Sequence, residues 1–116
     1  MGRYSHATRG GGLIFVSGQG AFDPETGRIV DGGIREQTSQ VLRNISLILQ
    51  SAGADLSSVV KVTVFLHAWK DFAEMNEVYA SFFPAKARAR STVQGERWPE
   101  GSLVAIEAIA LVPPEH

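Results

Sequence analysis

The chain has 116 residues, 44% of them apolar, which suits one domain with a real core. Its formal net charge is −1, and Lys and Arg are scattered along it, which argues against a nucleic-acid partner. No apolar run approaches membrane-spanning length, so no membrane partner is expected, and the absence of cysteine excludes a disulfide framework and a thiol nucleophile.

The first residues, Met1-Gly2-Arg3-Tyr4-Ser5-His6, lack the apolar stretch of a signal peptide, and a cytoplasmic location is expected. Leu13-Ile14-Phe15-Val16-Ser17-Gly18-Gln19 reads as a strand. Gly10-Gly11-Gly12 before it signals a turn, so residues near Tyr4 to Thr8 are expected to pair with it as a hairpin. Asp23-Pro24-Glu25-Thr26-Gly27 reads as a second turn. A helix is predicted from about Gly33 to Ala52, because Ile34, Val41, Ile45, Ile48, Leu49 and Ala52 form one stripe; Gly53 is its stop.

Val59 to Leu66 is the clearest strand, with Val60, Val62, Val64 and Leu66 expected on one face and Val59, Lys61, Thr63 and Phe65 on the other. A second helix starts at Asp71, read as its cap with Glu74 three residues on, and ends at Pro84. Its Phe72, Met75, Tyr79 and Phe82 stripe reads as core. Two more strands follow, about Arg88 to Gln94 and Leu103 to Val112, with Trp98-Pro99-Glu100-Gly101 turning the chain between them.

The last strand is apolar on both sides. Val104, Ile106, Ala108 and Ala110 share one face; Leu103, Ala105, Glu107, Ile109 and Leu111 share the other. Two helices on one side of a sheet leave the second face open. A partner subunit is the simplest cover, so an oligomer is expected.

Arg90 is the most informative residue. It is a cation in Ala89-Arg90-Ser91-Thr92-Val93, a run that reads as a buried strand. A buried charge is costly unless paired. The partner is either a structural carboxylate, solvent reached by the long side chain, or a small-molecule acid gripped by the guanidinium fork. His6, His67 and His116 match no metal-ligand spacing, and no metal or other cofactor is expected.

Several segments line up in order: Gly2-Arg3-Tyr4-Ser5-His6-Ala7, Val16-Ser17-Gly18-Gln19, Gln37-Thr38 and Asn44, and Val60-Lys61-Val62-Thr63-Val64-Phe65-Leu66. Asp71-Phe72, Asn76-Glu77-Val78-Tyr79, Ala89-Arg90-Ser91-Thr92-Val93 and Ile106-Glu107-Ala108-Ile109-Ala110 complete the set. In this order and spacing the chain resembles the RidA family (YjgF-type, also called endoribonuclease L-PSP), from about Tyr4 to Leu111. The resemblance implies a single RidA-like domain over residues 1–116. Its fold would be α+β and chorismate-mutase-like, a mixed sheet of about five to six strands with two helices on one face. It also implies a homotrimer with ligand clefts between subunits, and hydrolysis of reactive 2-imino acids to 2-keto acids and ammonia.

The resemblance assigns Arg90 to the substrate carboxylate and Tyr4, Ser17 and Asn76 to the cleft, with Gly18 on the loop beside it. Thr92 stands where many members have cysteine, and its backbone N–H can support a carboxylate. Active members carry Glu-x-Glu near the C-terminus, the first Glu positioning the attacking water; here that position is Ala105 and only Glu107 remains. Arg3 also replaces the proline of the family's Gly-Pro-Tyr-Ser motif. Residues 105 and 107 share a strand face but lie roughly 6.5 Å apart, too far for direct replacement. Glu107 is therefore either a displaced acid/base or a structural residue paired within the trimer core. A carboxylate restored at position 105 is expected to lie near Arg90.

Taken together, the sequence supports a 2-imino acid/enamine deaminase-like hydrolase, weakened or altered in substrate by Ala105, with Arg90, Tyr4 and Glu107 as catalytic candidates. The alternative is a trimeric, non-catalytic binding module for small carboxylates such as 2-keto acids. The family's nuclease label finds no support in the charge balance or in any His pair.

Overall fold

Local sequence punctuation sets the first elements. The computed structural model describes residues 6–83, 89–96 and 101–113. Gly11 and Gly12, both at positive φ, form the two-residue turn that joins β1 (Ala7–Gly10) to β2 (Leu13–Gln19) as an antiparallel hairpin. The pairing continues to His6, whose carbonyl accepts from the Ser17 N–H at 2.9 Å; Tyr4 and Ser5 lie outside the described residues. In the Asp23-to-Gly27 turn, Gly27 takes a positive φ and donates its N–H to Asp23 O at 2.8 Å.

Helix α1 runs Ile34–Ser51, within a residue of its predicted ends. The Glu36 carboxylate accepts from the Gly33 N–H at 2.9 Å, satisfying a donor ahead of the first turn. Asp55 accepts from the Ser57 hydroxyl and N–H, which hold its carboxyl below the usual aspartate value, and this closes the turn into β3 (Val59–Leu66). Helix α2 (Phe72–Phe82) follows. Asp71 is its first flanking residue, but its side chain makes no capping bond; a short 3₁₀ turn over Trp69–Asp71 leads in instead. Strands β4 (Ala89–Gln94) and β5 (Val104–Leu111) complete the chain. Pro84 and residues 98–100 of the predicted turn lie outside the described residues.

Among the described residues the sheet has five strands in the order β1-β2-β5-β3-β4. All neighbours are antiparallel except β3 and β4, which run parallel because α2 crosses between them. The fold is thus α+β with a mixed sheet. One sheet face carries Ile14, Val16, Val62, Val64, Ile106 and Ala108, all buried with Val41, Ile45 and Leu49 of α1 and Met75 of α2. The other face presents Phe15 (41% exposed), Val93 (42%) and Leu111 (51%), so the open apolar face expected from β5 is present in the single chain.

Two further expectations are corrected. β4 is an edge strand, not a buried one: Ala89, Ser91, Val93 and Gln94 are exposed and only Arg90 and Thr92 turn partly inward. Val60 does not join Val62 and Val64 in the core. Val59 pairs with Ala110 and Lys61 with Ile109, so the extra residue between them bulges, burying Val59 and exposing Val60.

A buried polar network ties the loops that follow β2 and precede β5 to α1. Gln37 Oε1 accepts from the Leu103 N–H at 2.7 Å, Asn44 Nδ2 donates to Phe22 O at 2.8 Å, and Ser102 Oγ accepts from the Ala21 N–H at 3.1 Å. Gln37→Ala leaves the Leu103 N–H without its acceptor, and it is expected to cost about 1–3 kcal/mol in denaturant unfolding. An unchanged midpoint would show that the network contributes nothing to stability.

Candidate functional site: a cradled arginine and a bulged strand on opposite sheet faces

The β3–β4 register places Arg90 opposite Val62 and Thr92 opposite Val64, so both point to the helix side of the sheet. There α2 meets Arg90 with three residues spaced i, i+4 and i+7. Arg90 Nη1 donates to Asn76 Oδ1 at 2.7 Å. The guanidinium carbon lies 4.7 Å from the centre of the Tyr79 ring and 5.8 Å from that of Phe72. No carboxylate pairs with Arg90 among the described residues, and its other N–H groups make no hydrogen bond there. Two residues along the same strand face, the Thr92 hydroxyl is buried with no hydrogen-bond partner among the described residues. A cation with free donors beside an orphaned hydroxyl suits a small anion.

A second constellation sits on the open face. Val16 pairs with Ala108 and Gln19 with Ile106, so Ser17 and Gly18 together oppose Glu107. This bulge re-aims the end of β2 beside the carboxylate. Ser17 Oγ donates to His6 O at 3.2 Å, and Gln19 Nε2 donates to Ser17 O at 3.1 Å. Glu107 also lies opposite Thr63 and borders a cavity of about 280 Å³ shared with Ser17, Lys61, Thr63 and Phe15. Lys61 Nζ donates to Thr63 Oγ1 at 3.1 Å and to Val62 O at 3.2 Å rather than to the carboxylate. The Glu107 carboxylate makes no ion pair or hydrogen bond among the described residues.

One chain therefore brings Arg90, Asn76 and Thr92 together, and separately Ser17, Gly18 and Glu107. Tyr4 lies outside the described residues. Ala105 pairs with Phe65 on the Glu107 side and is fully buried. Position 105 does not face Arg90 of its own chain, because strand alternation and an intervening strand separate them.

Sequence reasoning missed three features. The helical stripe places Phe72 and Tyr79 in core packing, yet each also flanks the Arg90 cation; the available signal is their spacing around Asn76. The bulge was signalled by Gly18, an isolated glycine inside a strand. Lys61 and Thr63 were visible as polar residues alternating through a valine-rich strand. Among the described residues no group of three or more His, Asp or Glu side chains gathers to hold a metal, and no helix there is long and apolar enough to cross a membrane.

Known proteins share this arrangement of the chain. The family model described as Endoribonuclease L-PSP matches residues 1–112. A RutC family protein of Pyrococcus abyssi is 52% identical over 110 residues, covering 95% of this chain and 87% of that one. The mouse protein named 2-iminobutanoate/2-iminopropanoate deaminase is 42% identical over 114 residues, covering 98% of this chain and 84% of its own. The crystal structure of a putative endoribonuclease from Thermotoga maritima superposes with a TM-score of 0.91 at 44% identity, covering 98% of this chain and 90% of that one.

Proposed function

The chain belongs to the endoribonuclease L-PSP (RidA/YjgF) family, and from that premise we propose that it hydrolyses 2-imino acids to 2-keto acids and ammonia. The observation that carries this reading is Arg90, held by α2: its remaining guanidinium N–H groups and the Thr92 hydroxyl on the same strand face have no hydrogen-bond partner among the described residues. That geometry suits a substrate carboxylate bound bidentately. With the carboxylate anchored, a water oxygen bonds to the imine carbon while the C=N π pair moves to nitrogen. The water gives up a proton, the nitrogen gains one, and the carbinolamine then collapses. Its nitrogen takes up a second proton, the C–N bond breaks and ammonia leaves, and the hydroxyl gives up its proton as the C=O of the keto acid forms. Anchoring and orientation are the principal contributions of this chain.

Arg90 and Glu107 occupy opposite faces of one sheet, so a substrate that touches both groups needs two copies of the chain. The reading is therefore of a homotrimer. The α2–β4 side of one copy contributes Arg90, Asn76 and Thr92, and a neighbour contributes Ser17, Gly18 and Glu107; Tyr4, outside the described residues, enters only through the family resemblance. The exposed Phe15, Val93 and Leu111 support burial of the open face in such an assembly. Glu107 carries the proton in this scheme, from a position two residues beyond the family's usual carboxylate. A positioned acid/base contributes about 100- to 10,000-fold, so the loss at Ala105 predicts a slow deaminase. A non-catalytic binder of small carboxylates is the second reading, favoured by the lack of any carboxylate at position 105 itself. Nuclease action is not proposed, since a net charge of −1 offers little phosphate affinity.

Light scattering at micromolar protein is expected to return three times the chain mass; a stable monomer would sink the shared site. Calorimetry with a small 2-keto acid should show binding, and Arg90→Ala should weaken it by a few kcal/mol, the scale of a lost buried charge partner. Unchanged affinity rules the anchor out. RNA should stay intact in the same preparation, and cleavage that disappears in Arg90→Ala would instead favour a nuclease. Ala105→Glu is expected to raise kcat for 2-imino acid hydrolysis by roughly 10- to 1,000-fold. Because position 105 is fully buried, trimer mass and keto-acid binding must be measured in parallel. An intact, ligand-binding variant with no gain in kcat would make the binder the better account.

A further inference from the structure

The Arg90 guanidinium has no carboxylate partner among the described residues, yet it is held in place. Asn76 takes one N–H, and the rings of Tyr79 and Phe72 stand over the cation. Each ring has its own support. Tyr79 is buried and packs on Phe83 with ring centres 4.9 Å apart, and Phe72 packs on Trp69 at 5.7 Å. A neutral amide and two aromatic faces orient a guanidinium without neutralising it. A carboxylate in their place would satisfy the fork and compete with any anionic ligand.

We propose that Tyr79 is a positioning residue for the carboxylate anchor: its ring face, with Asn76, fixes Arg90 so that the open edge of the guanidinium is presented to an anionic substrate. This deepens the deaminase reading and rests on it for the identity of the anion. Asn76 on this account serves the arginine through its amide oxygen, rather than serving the substrate first. Tyr79 does not touch the substrate. It acts by limiting the rotamers of Arg90, so its loss raises the entropic cost of binding.

The test uses 2-oxobutanoate as anionic probe and 2-oxobutanamide as its uncharged counterpart, on the full-length protein. Tyr79→Leu keeps apolar bulk and removes the ring face. It should weaken 2-oxobutanoate about 2- to 30-fold, the range spanned by exposed to desolvated cation–π contacts. Tyr79→Phe should restore most of that affinity. In an Arg90→Ala background Tyr79→Leu should cause no further loss, because its effect runs through the arginine. In turnover the change should appear in KM rather than kcat. Equal weakening of the uncharged amide, or unchanged 2-oxobutanoate affinity in Tyr79→Leu, overturns the proposal.

A ligand-free readout separates this inference from the deaminase reading. The Arg90 Nε–H resonance should be displaced upfield by the aromatic rings in the wild-type protein, and this displacement should shrink in Tyr79→Leu and persist in Tyr79→Phe. If the wild type binds no 2-oxobutanoate, the carboxylate reading falls; an upfield resonance then still supports the held arginine, and a resonance at its ordinary position overturns it. If Tyr79→Leu fails to fold, Phe72→Leu replaces it, with the same expected loss of displacement and the same overturning result.

Discussion

The parallel pairing of β3 with β4 is the constraint from which the site follows. Two strands can run parallel side by side only if the chain crosses back between them, and here α2 is that crossover. The helix must return over the sheet face it came from, so it covers the inward side of β4. Arg90 and Thr92 are the β4 residues of that face that are partly buried. The environment of the cation is thus supplied by the segment that delivers the strand. That explains how an edge strand holds a charged side chain in fixed geometry without a carboxylate among the described residues.

The other half of the molecule is governed by strand alternation. β5 is central, and every second residue of it faces the helices. The alternate set, Ala105, Glu107, Ile109 and Leu111, must face the open side. The bulge at Ser17 and Gly18 adds a residue to β2 between the Val16–Ala108 and Gln19–Ile106 pairs. It therefore concentrates polar groups beside Glu107 on a face otherwise lined by Phe15, Ile109 and Leu111. A carboxylate and an amine on such a face are costly to cover unless the covering surface satisfies them. The same residues that invite assembly also limit how it can occur.

Ala105 is where these two constraints meet the chemistry. Its methyl group is fully buried beside Phe65, so the position is filled by packing rather than left as a vacant slot for a ligand. Glu107 has the right chemistry at a displaced place, and Arg90 has the right chemistry on the other face. On the proposed reading, proton transfer and carboxylate anchoring fall on separate surfaces of one chain, which is why that reading calls for more than one copy.

Much of this was legible in the residues alone. The helix at Ile34–Ser51, the strand at Val59–Leu66 and the hairpin at Gly11-Gly12 follow from periodicity and glycine placement, both of which act over a few residues. The two-faced apolar character of β5 likewise needed only alternation. What the residues alone left open were relations between distant segments. Nothing within Ala89–Gln94 says that it is an edge strand; its neighbour list does. Nothing local to Arg90 names Asn76 and Tyr79, which reach it only because α2 folds over β4. Nothing local to Val59 and Val60 decides which is buried, because a bulge is defined by the register of the opposite strand. Local chemistry determined the elements and the candidate side chains. Tertiary pairing decided which face each side chain occupies, because strand register and helix crossover bind residues far apart in the chain into one geometry.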